Sequence, residues 1–165
     1  MVLTKAELIS ALQSEIRILL HLCSKVEPGM LDYRPTPKQR SLIELVRYLS
    51  MMGPVLVPSI QAGAFLVDRW TEAEKAASAL DFAGAVKAIE AQSASYASSV
   101  GAISDADLRA EVEMFGSKST RGQWLVNVVL CAHAAYRTQL FCYLKSCGRD
   151  ELNTLNLWAG VDGAM

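Results

Sequence analysis

The chain has 165 residues, of which 52% are hydrophobic and 20% are charged, so it is apolar enough for one folded domain and unlike a disordered chain. Its 16 basic and 17 acidic residues leave a formal net charge of −1, which gives nucleic-acid binding no electrostatic support.

The first predicted element is a helix from about Thr4 to Val26. Thr4 and Glu7 have the spacing of a capping box, and apolar residues then recur every three or four positions. Charged residues interrupt this stretch, so we expect neither a signal peptide nor a membrane span. Pro28 ends the helix, and His21 is expected to be a half-exposed residue near that end.

A second helix is predicted after an extended, proline-containing connector. Ser41 and Glu44 form another capping box before an apolar run. The pair 53–54, Gly-Pro, is expected to kink or end this helix, and Pro58 to perturb the residues after it. Residues 55–66 are therefore predicted to be a broken continuation of the helix or a lid-like segment.

The middle of the chain predicts a short helix and a third long one. Thr71 begins the short helix, which ends near Leu80, and Asp81 caps a long helix that reaches about Ala102. The core stripe of that long helix is weak, because Ala and Ser dominate it. Its predicted members are Phe82, Val86, Ile89, Ser93, Tyr96 and Val100.

The last long helix is predicted to run from Thr120 to Gly148, after a short helical turn at Ser104. Residues 109–120 could form an extended piece, a hairpin arm or a loop. Trp158, in the C-terminal tail, is expected to pack on the bundle or on a partner subunit. The predicted buried stripe of the last helix comprises Leu125, Val128, Val129, Ala132, Tyr136, Gln139 and Tyr143.

These elements predict an all-α four-helix bundle with at least one long crossover connection, since no strand-like alternation is long enough to build a sheet. The whole chain, 1–165, is expected to be one domain with a core at about 4–148 and a tail at 149–165. We also expect a homodimer through long helix faces. The cysteines contain no CxxC pair, so we expect reduced, buried thiols in a cytoplasmic protein, with a thiol-based site at Cys131 or Cys142 as the alternative.

Polar residues interrupt the apolar faces of the second and last helices, and we expect them to meet in one pocket. Buried polar groups need partners, so such a cluster is either a hydrogen-bonded network or a ligand site. A buried arginine needs an anion, for which Glu44 or the carboxylate or phosphate of a small anionic ligand would serve Arg137. The pocket candidates are Glu44, Tyr48, His133, Tyr136, Arg137 and Gln139.

The stretches YRPTPKQRSLIELVRYL, SDADLRAEV and HAAYRTQLFCYLKSCG resemble the DinB/YfiT-like superfamily over roughly residues 4–148. The resemblance implies a DinB-like four-helix bundle, often dimeric. It also implies a divalent metal, zinc or nickel, held by one histidine of the second helix and a His-x-x-x-His pair of the last. Characterised relatives include thiol-dependent transferases and isomerases that use bacillithiol, mycothiol or glutathione.

This chain departs from the family at the metal positions. Tyr48 stands where the second helix would place histidine, and on the last helix Tyr136 with Ala132, or Arg137 with His133, replaces the histidine pair. The chain has only two histidines, so a three-histidine site within one subunit cannot form. We therefore expect no metal or other cofactor. The alternative is zinc or nickel held by a mixed set of Glu44, Tyr48 and His133.

Three functions remain open from the sequence. In the first, a metal-free bundle binds a small molecule or a partner in its cleft, without catalysis. In the second, the chain is a transferase or hydrolase with a remodelled site, which includes a metal-dependent thiol transferase. In the third, it is a structural, oligomer-forming protein whose polar core is only a network.

Overall fold

The computed structural model describes residues 3–163. The helices and strands, in chain order, are α1 Lys5–Cys23, α2 Leu42–Ala62, α3 Val67–Ser78, α4 Phe82–Ser99, α5 Asp105–Arg109, β1 Glu111–Met114, β2 Ser117–Thr120, α6 Arg121–Trp124, a π-helical segment Leu125–Leu130, α7 Cys131–Ser146 and α8 Thr154–Trp158, with one 3₁₀ turn at Pro28–Met30.

The four long helices are α1, α2, α4 and the continuous last helix formed by α6, the π-helical segment and α7. Helix α4 packs between α1 and α2, and the last helix closes the other side by packing on the same two helices. The connections from α1 to α2 and from α4 to the last helix therefore cross between opposite corners of the bundle. The predicted all-α bundle with long crossovers is confirmed.

The predicted helix starts are confirmed wherever a side chain caps the backbone. Thr4 and Ser41 each accept a hydrogen bond from the third helical amide, and the carboxylates of Glu7 and Glu44 each accept one from the amide of the capping residue, which completes both capping boxes. Asp81 caps α4. Residues 109–120, for which the sequence left an extended piece, a hairpin arm or a loop open, contain an antiparallel hairpin in which β1 pairs with β2.

Helix α2 corrects the prediction of a break at Gly53-Pro54, because it continues through both prolines to Ala62. Proline cannot donate to the carbonyl four residues earlier, so Pro54 frees the carbonyl of Ser50. The buried amide Nε2 of Gln92 donates to that carbonyl at 3.1 Å and to the Leu49 carbonyl at 2.8 Å. A side chain of α4 thus replaces the lost donor, and the helix does not end.

Helix α3 begins four residues before the predicted start, at Val67. The Thr71 hydroxyl does not cap it but donates to the Val67 carbonyl at 3.0 Å, within the helix. The helix has no side-chain cap, so it carried no capping signal in the sequence. Its position is decided by packing against α2.

The last helix departs from a regular α-helix in the π-helical segment, where the amide of Cys131 donates to the carbonyl of Val126, five residues earlier. A π-helical turn rotates the chain less per residue than an α-helical one. His133 and Arg137 therefore stay on the buried face that Leu125 begins. This corrects the predicted stripe, in which Ala132, Tyr136 and Gln139 held the buried positions; none of these three is fully buried.

Helix α2 is long and apolar enough to cross a membrane by composition, and no other helix within residues 3–163 is. However, 67% of its most apolar window is buried inside the bundle. Central helices of soluble bundles have the same composition, because every side of such a helix is covered by protein. Helix α2 is therefore a core helix of this bundle.

The cysteines correct the expectation of buried thiols. Cys23 is buried, whereas Cys131 and Cys142 are exposed on the outer face of the last helix and Cys147 is half-buried. All four are free thiols. The exposure of Cys131 agrees with the π-helical segment, after which His133 and Arg137 are the buried residues of the last helix.

Candidate functional site

A cleft on the outer side of α2, which we call the Tyr48 cleft, has a volume of about 290 Å³. The ring of Tyr48 packs edge-on against Tyr136 at 4.9 Å and against Trp70 of α3 at 5.9 Å, measured between ring centroids. The cleft thus lies between α2 and α3 with an aromatic floor. Its lining residues are Arg40, Glu44, Arg47, Tyr48, Met51, Glu74, Ala77 and Ser78.

Two arginines enter the Tyr48 cleft without an ionic partner. The Arg40 guanidinium carbon lies 4.0 Å above the Tyr48 ring centroid, which is cation–π geometry. Arg47 is half-buried and is anchored by its Nε, which donates to the Leu80 carbonyl at 2.7 Å. Across residues 3–163, no carboxylate lies within 4 Å of either guanidinium. The cleft therefore holds two cations without a carboxylate partner, of which Arg40 lies over the Tyr48 ring.

Glu44 lines the same cleft, but its carboxylate is already used. It accepts from the Ser41 amide at 2.7 Å and lies 3.3 Å from Arg34. The Ser41 amide first, and Arg34 with it, hold the pKa of Glu44 below its usual value. The predicted pairing of Glu44 with Arg137 is wrong, because Glu44 sits at the exposed start of α2 and its capping role turns it toward the backbone.

The buried partner of Arg137 is Glu15 of α1. Their Nε and Oε2 atoms lie 3.1 Å apart, and the side chains are only 4% and 14% exposed. Arg137 also donates through Nη1 to the Leu157 carbonyl at 2.6 Å, and its guanidinium lies 5.4 Å from the ring centroid of Trp158. Arg137 thus joins the last helix to α1 and α8 and does not reach the Tyr48 cleft. Trp158 packs on the bundle through this contact while 67% exposed.

His133 turns to the opposite corner of the bundle. Its Nε2 lies 2.6 Å from the Tyr96 hydroxyl, which also donates to Gln92 Oε1 at 2.9 Å, so the network spans from the last helix to α4 and then to α2. His133 is fully buried, and its Nδ1 has no partner within the described chain. Burial lowers the pKa of His133 to about 4, so this ring is neutral at pH 7.

His133 predicts a loss of stability in mild acid. An unfolded histidine has a pKa of about 6.5, so below that pH the unfolded state binds the proton first. Its contribution is intact above pH 6.5 and falls by about 3 kcal/mol as the pH approaches 4, in proportion to the pKa shift. Urea unfolding of wild type and His133→Leu between pH 7.5 and 4 measures the difference. His21 is present in both proteins, so equal slopes would contradict the prediction.

The remaining candidate, Gln139, lies outside the cleft lining and is linked to it by hydrogen bonds. Its Nε2 donates to the Tyr143 hydroxyl at 2.6 Å, and that hydroxyl donates to the Arg40 carbonyl at 2.9 Å. These two hydrogen bonds hold the backbone of Arg40 against the last helix. Of the six predicted pocket residues, then, Glu44 and Tyr48 line the cleft, Tyr136 packs beneath it, and His133, Arg137 and Gln139 point elsewhere.

The residues at the family's metal positions do not fit a divalent metal ion. Burial first, and the neighbouring Tyr136 hydroxyl second, raise the pKa of Tyr48 above its usual value, so its phenol stays protonated. His133 is engaged with Tyr96, and the Arg40 cation covers the Tyr48 ring. Within residues 3–163, no three His, Cys, Asp or Glu side chains are placed to share a metal ion. The mixed set of Glu44, Tyr48 and His133 therefore does not converge.

A larger groove of about 690 Å³ lies at the other end of the bundle, between the start of α1, α5 and α6. Its lining combines aliphatic residues, such as Leu8, Leu108 and Val126, with polar and charged ones, which include Asp105 and Arg109. Its Lys5 ammonium is already bound to two backbone carbonyls. Because Lys5 is bound to these carbonyls and lies 3.9 Å from Asp105, the groove offers fewer unpaired charges than the Tyr48 cleft and is the weaker candidate in spite of its size.

Sequence patterns did not indicate Arg40, Arg47 and Glu74 as cleft residues. Charged residues on the outer face of an amphipathic helix are ordinary, so they gave no signal. The role of Gln92 did have a signal in the sequence. Pro54 within the helix leaves a buried carbonyl that needs a donor from another element.

The architecture that carries this cleft is a bundle of four long helices with two long crossover connections and a short hairpin before the last helix. The structure is similar to that of a DinB-like protein, YjoA, from Bacillus subtilis, with a TM-score of 0.67 at 16% sequence identity, covering 88% of this chain and 95% of that chain. No protein-family model matches the chain, and no curated protein is similar to it in sequence. The chain therefore has the DinB-like fold, as the sequence resemblance predicted.

Proposed function

We propose that this protein binds a small anionic molecule in the Tyr48 cleft, without a metal ion and without catalysis. The observation that carries the proposal is the pair of guanidinium groups without a carboxylate partner, Arg40 over the ring of Tyr48 and Arg47 in the same lining. Arginine presents several N–H donors in a fixed plane, which suits a carboxylate or phosphate. An anion with an apolar body would place that body against Tyr48 and Met51.

The anchoring of the two arginines supports binding over a purely structural role. Arg47 is held by its Nε, which leaves its other nitrogens free for a ligand. Arg40 is positioned through its own carbonyl, which Tyr143 and Gln139 hold. Preorganised donors lose little conformational entropy when a ligand arrives, so they favour binding.

The alternative of a metal-dependent thiol transferase or hydrolase has less support. It requires a ligand set that the protonated Tyr48 and the buried, hydrogen-bonded His133 do not supply. Equimolar retention of nickel or zinc by untagged protein after gel filtration would favour this alternative over the metal-free proposal.

The binding proposal is tested with benzoate, phenyl phosphate and inorganic phosphate as probes, by NMR titration of the wild-type protein. We expect saturable shifts at α2 and α3, and Arg40→Gln and Arg47→Gln to weaken binding about tenfold each, the size of one lost charge-assisted hydrogen bond. Arg69→Gln is the matched control, since Arg69 is an exposed residue of α3 outside the cleft lining. Absence of saturable binding by all three probes would reject the proposal.

We further propose that the protein is a cytoplasmic homodimer formed through the outer face of its last helix. Between Arg121 and Lys145 the one charged residue is Arg137, and it is buried. The exposed positions of this face, which include Ala135 and Thr138, are small and uncharged, and a surface helix normally carries charges there. Sedimentation as a monomer at micromolar concentration would count against the dimer.

A further inference from the structure

The Tyr48 cleft also contains an anion without a partner. Glu74 of α3 lines the cleft opposite α2, and within residues 3–163 no lysine, arginine or histidine nitrogen lies within 4 Å of its carboxylate. The carboxylate of Glu44, in contrast, has partners, because it accepts from the Ser41 amide and pairs with Arg34. The cleft thus presents one free carboxylate and two free guanidinium groups.

These opposite charges act on the same central group. The Arg40 cation lowers and the Glu74 anion raises the pKa of Tyr48, as lesser influences beside burial, so both lie within electrostatic reach of its hydroxyl. Yet Glu74 is more than 4 Å from the guanidinium groups and does not neutralise them. Opposite charges that share a cleft without pairing leave room for a ligand between them.

We propose that the ligand of this cleft is a zwitterion of the amino-acid class, with its ammonium at Glu74, its carboxylate at Arg40 and Arg47, and an apolar side chain against Tyr48. The inference rests on the proposed anion binding and names its ligand class. Each ligand charge meets an unpaired charge of the opposite sign, which satisfies groups that would otherwise depend on water alone.

The shape of the cleft agrees with a small molecule of this class. Met51 and the buried Ala77 supply apolar surface beside the Tyr48 ring. A volume of about 290 Å³ is near the lower end of the range of ligand pockets, ~300–1,000 Å³, which suits a single amino acid better than a long peptide.

The test compares three probes of similar apolar bulk by isothermal titration calorimetry: L-phenylalanine, N-acetyl-L-phenylalanine, which lacks the cation, and phenethylamine, which lacks the anion. We expect wild type to bind L-phenylalanine at least tenfold more tightly than either of the others. Glu74→Gln is expected to remove the preference over N-acetyl-L-phenylalanine by weakening L-phenylalanine alone. Glu72→Gln is the matched control, because Glu72 is an exposed residue of the same helix outside the lining.

The outcomes separate this inference from the anion-binding proposal. Equal affinity of wild type for L-phenylalanine and N-acetyl-L-phenylalanine, or an unchanged preference in Glu74→Gln, overturns the zwitterion and leaves anion binding in place. Binding of phenethylamine as tight as that of L-phenylalanine overturns the role of the arginines, and with it both proposals. Binding of L-phenylalanine about tenfold weaker in Arg40→Gln, with the preference over N-acetyl-L-phenylalanine abolished in Glu74→Gln, supports both.

Discussion

Replacement of Arg137 by methionine is expected to destabilise the fold by about 3–5 kcal/mol, because it leaves the Glu15 carboxylate buried without its counter-ion. Methionine retains most of the apolar stem, so the loss reports mainly on the charge. The pair is in ionic contact at 3.1 Å without good hydrogen-bond alignment, and the Leu157 carbonyl loses its donor as well. Urea unfolding at pH 7 measures the change in the free energy of unfolding.

The exposed pair of Arg34 and Glu44 provides the matched control. Glu44→Gln keeps a side chain that can complete the capping box and removes only the charge, so its expected cost is below about 1 kcal/mol. A double-mutant cycle of Glu15→Gln with Arg137→Met should show coupling, and one of Glu44→Gln with Arg137→Met should show none. The reverse pattern would restore the pairing that the sequence suggested and contradict the structure.

Alanine at Gly53 is expected to destabilise the protein by about 3 kcal/mol, against the normal trend. In an exposed helix interior, glycine to alanine stabilises by about 0.5–1 kcal/mol. Here an added Cβ would lie 1.8 Å from the Tyr96 hydroxyl oxygen and 2.9 Å from its ring carbon, so α4 or the Tyr96 ring would have to move. Overpacking of this kind costs roughly 1–3 kcal/mol, and the lost Tyr96 hydrogen bonds add to it.

Two further variants make the Gly53 prediction specific. Gly29→Ala has open space around its added Cβ and should leave stability nearly unchanged. Gly53→Ala combined with Tyr96→Phe should recover part of the loss, since removing the hydroxyl relieves the shortest contact. A Gly53→Ala protein at least as stable as wild type in thermal and urea unfolding would show that α2 and α4 are not packed as closely as the structure has them.

The fold and the site carry different weight in the functional conclusion. Likeness to a DinB-like protein at 16% identity establishes the arrangement of helices and says nothing of the ligand. The proposed function rests on the side chains of the Tyr48 cleft, above all Arg40, Arg47 and Glu74. The polar core from Gln92 to His133 is separate, and its first role is to keep a proline-containing α2 continuous.

The positions of the helices were largely predictable because their start signals are local. Thr4, Ser41, Asp81 and Ser104 cap helices by contacts within three residues, so the sequence predicts them without knowledge of the fold. Helix α3 lacks such a cap and was placed four residues too late. Its start depends on packing against α2 and carries no side-chain cap that the sequence could show.

The candidate site was predictable only in part. The contact of Tyr48 with Tyr136 follows from apolar faces on two helices that meet, and the sequence indicated it. The sequence did not predict which residues of the last helix face inward, because the π-helical segment changes the rotation of the helix about its axis. Periodicity assumes a constant rotation per residue, so one irregular turn is enough to exchange Ala132 and Tyr136 for His133 and Arg137.

The sequence by itself determined that this chain forms capped amphipathic helices, that they build a bundle, and that two histidines cannot make a three-histidine site. Only the tertiary structure decided that Arg137 pairs with Glu15, that Gln92 repairs α2, and that Arg40, Arg47 and Glu74 share a cleft. The reason is the range of the interactions. Caps and composition act within a few residues, whereas the partner of a buried charge depends on which helices are neighbours and on the rotation of each about its own axis.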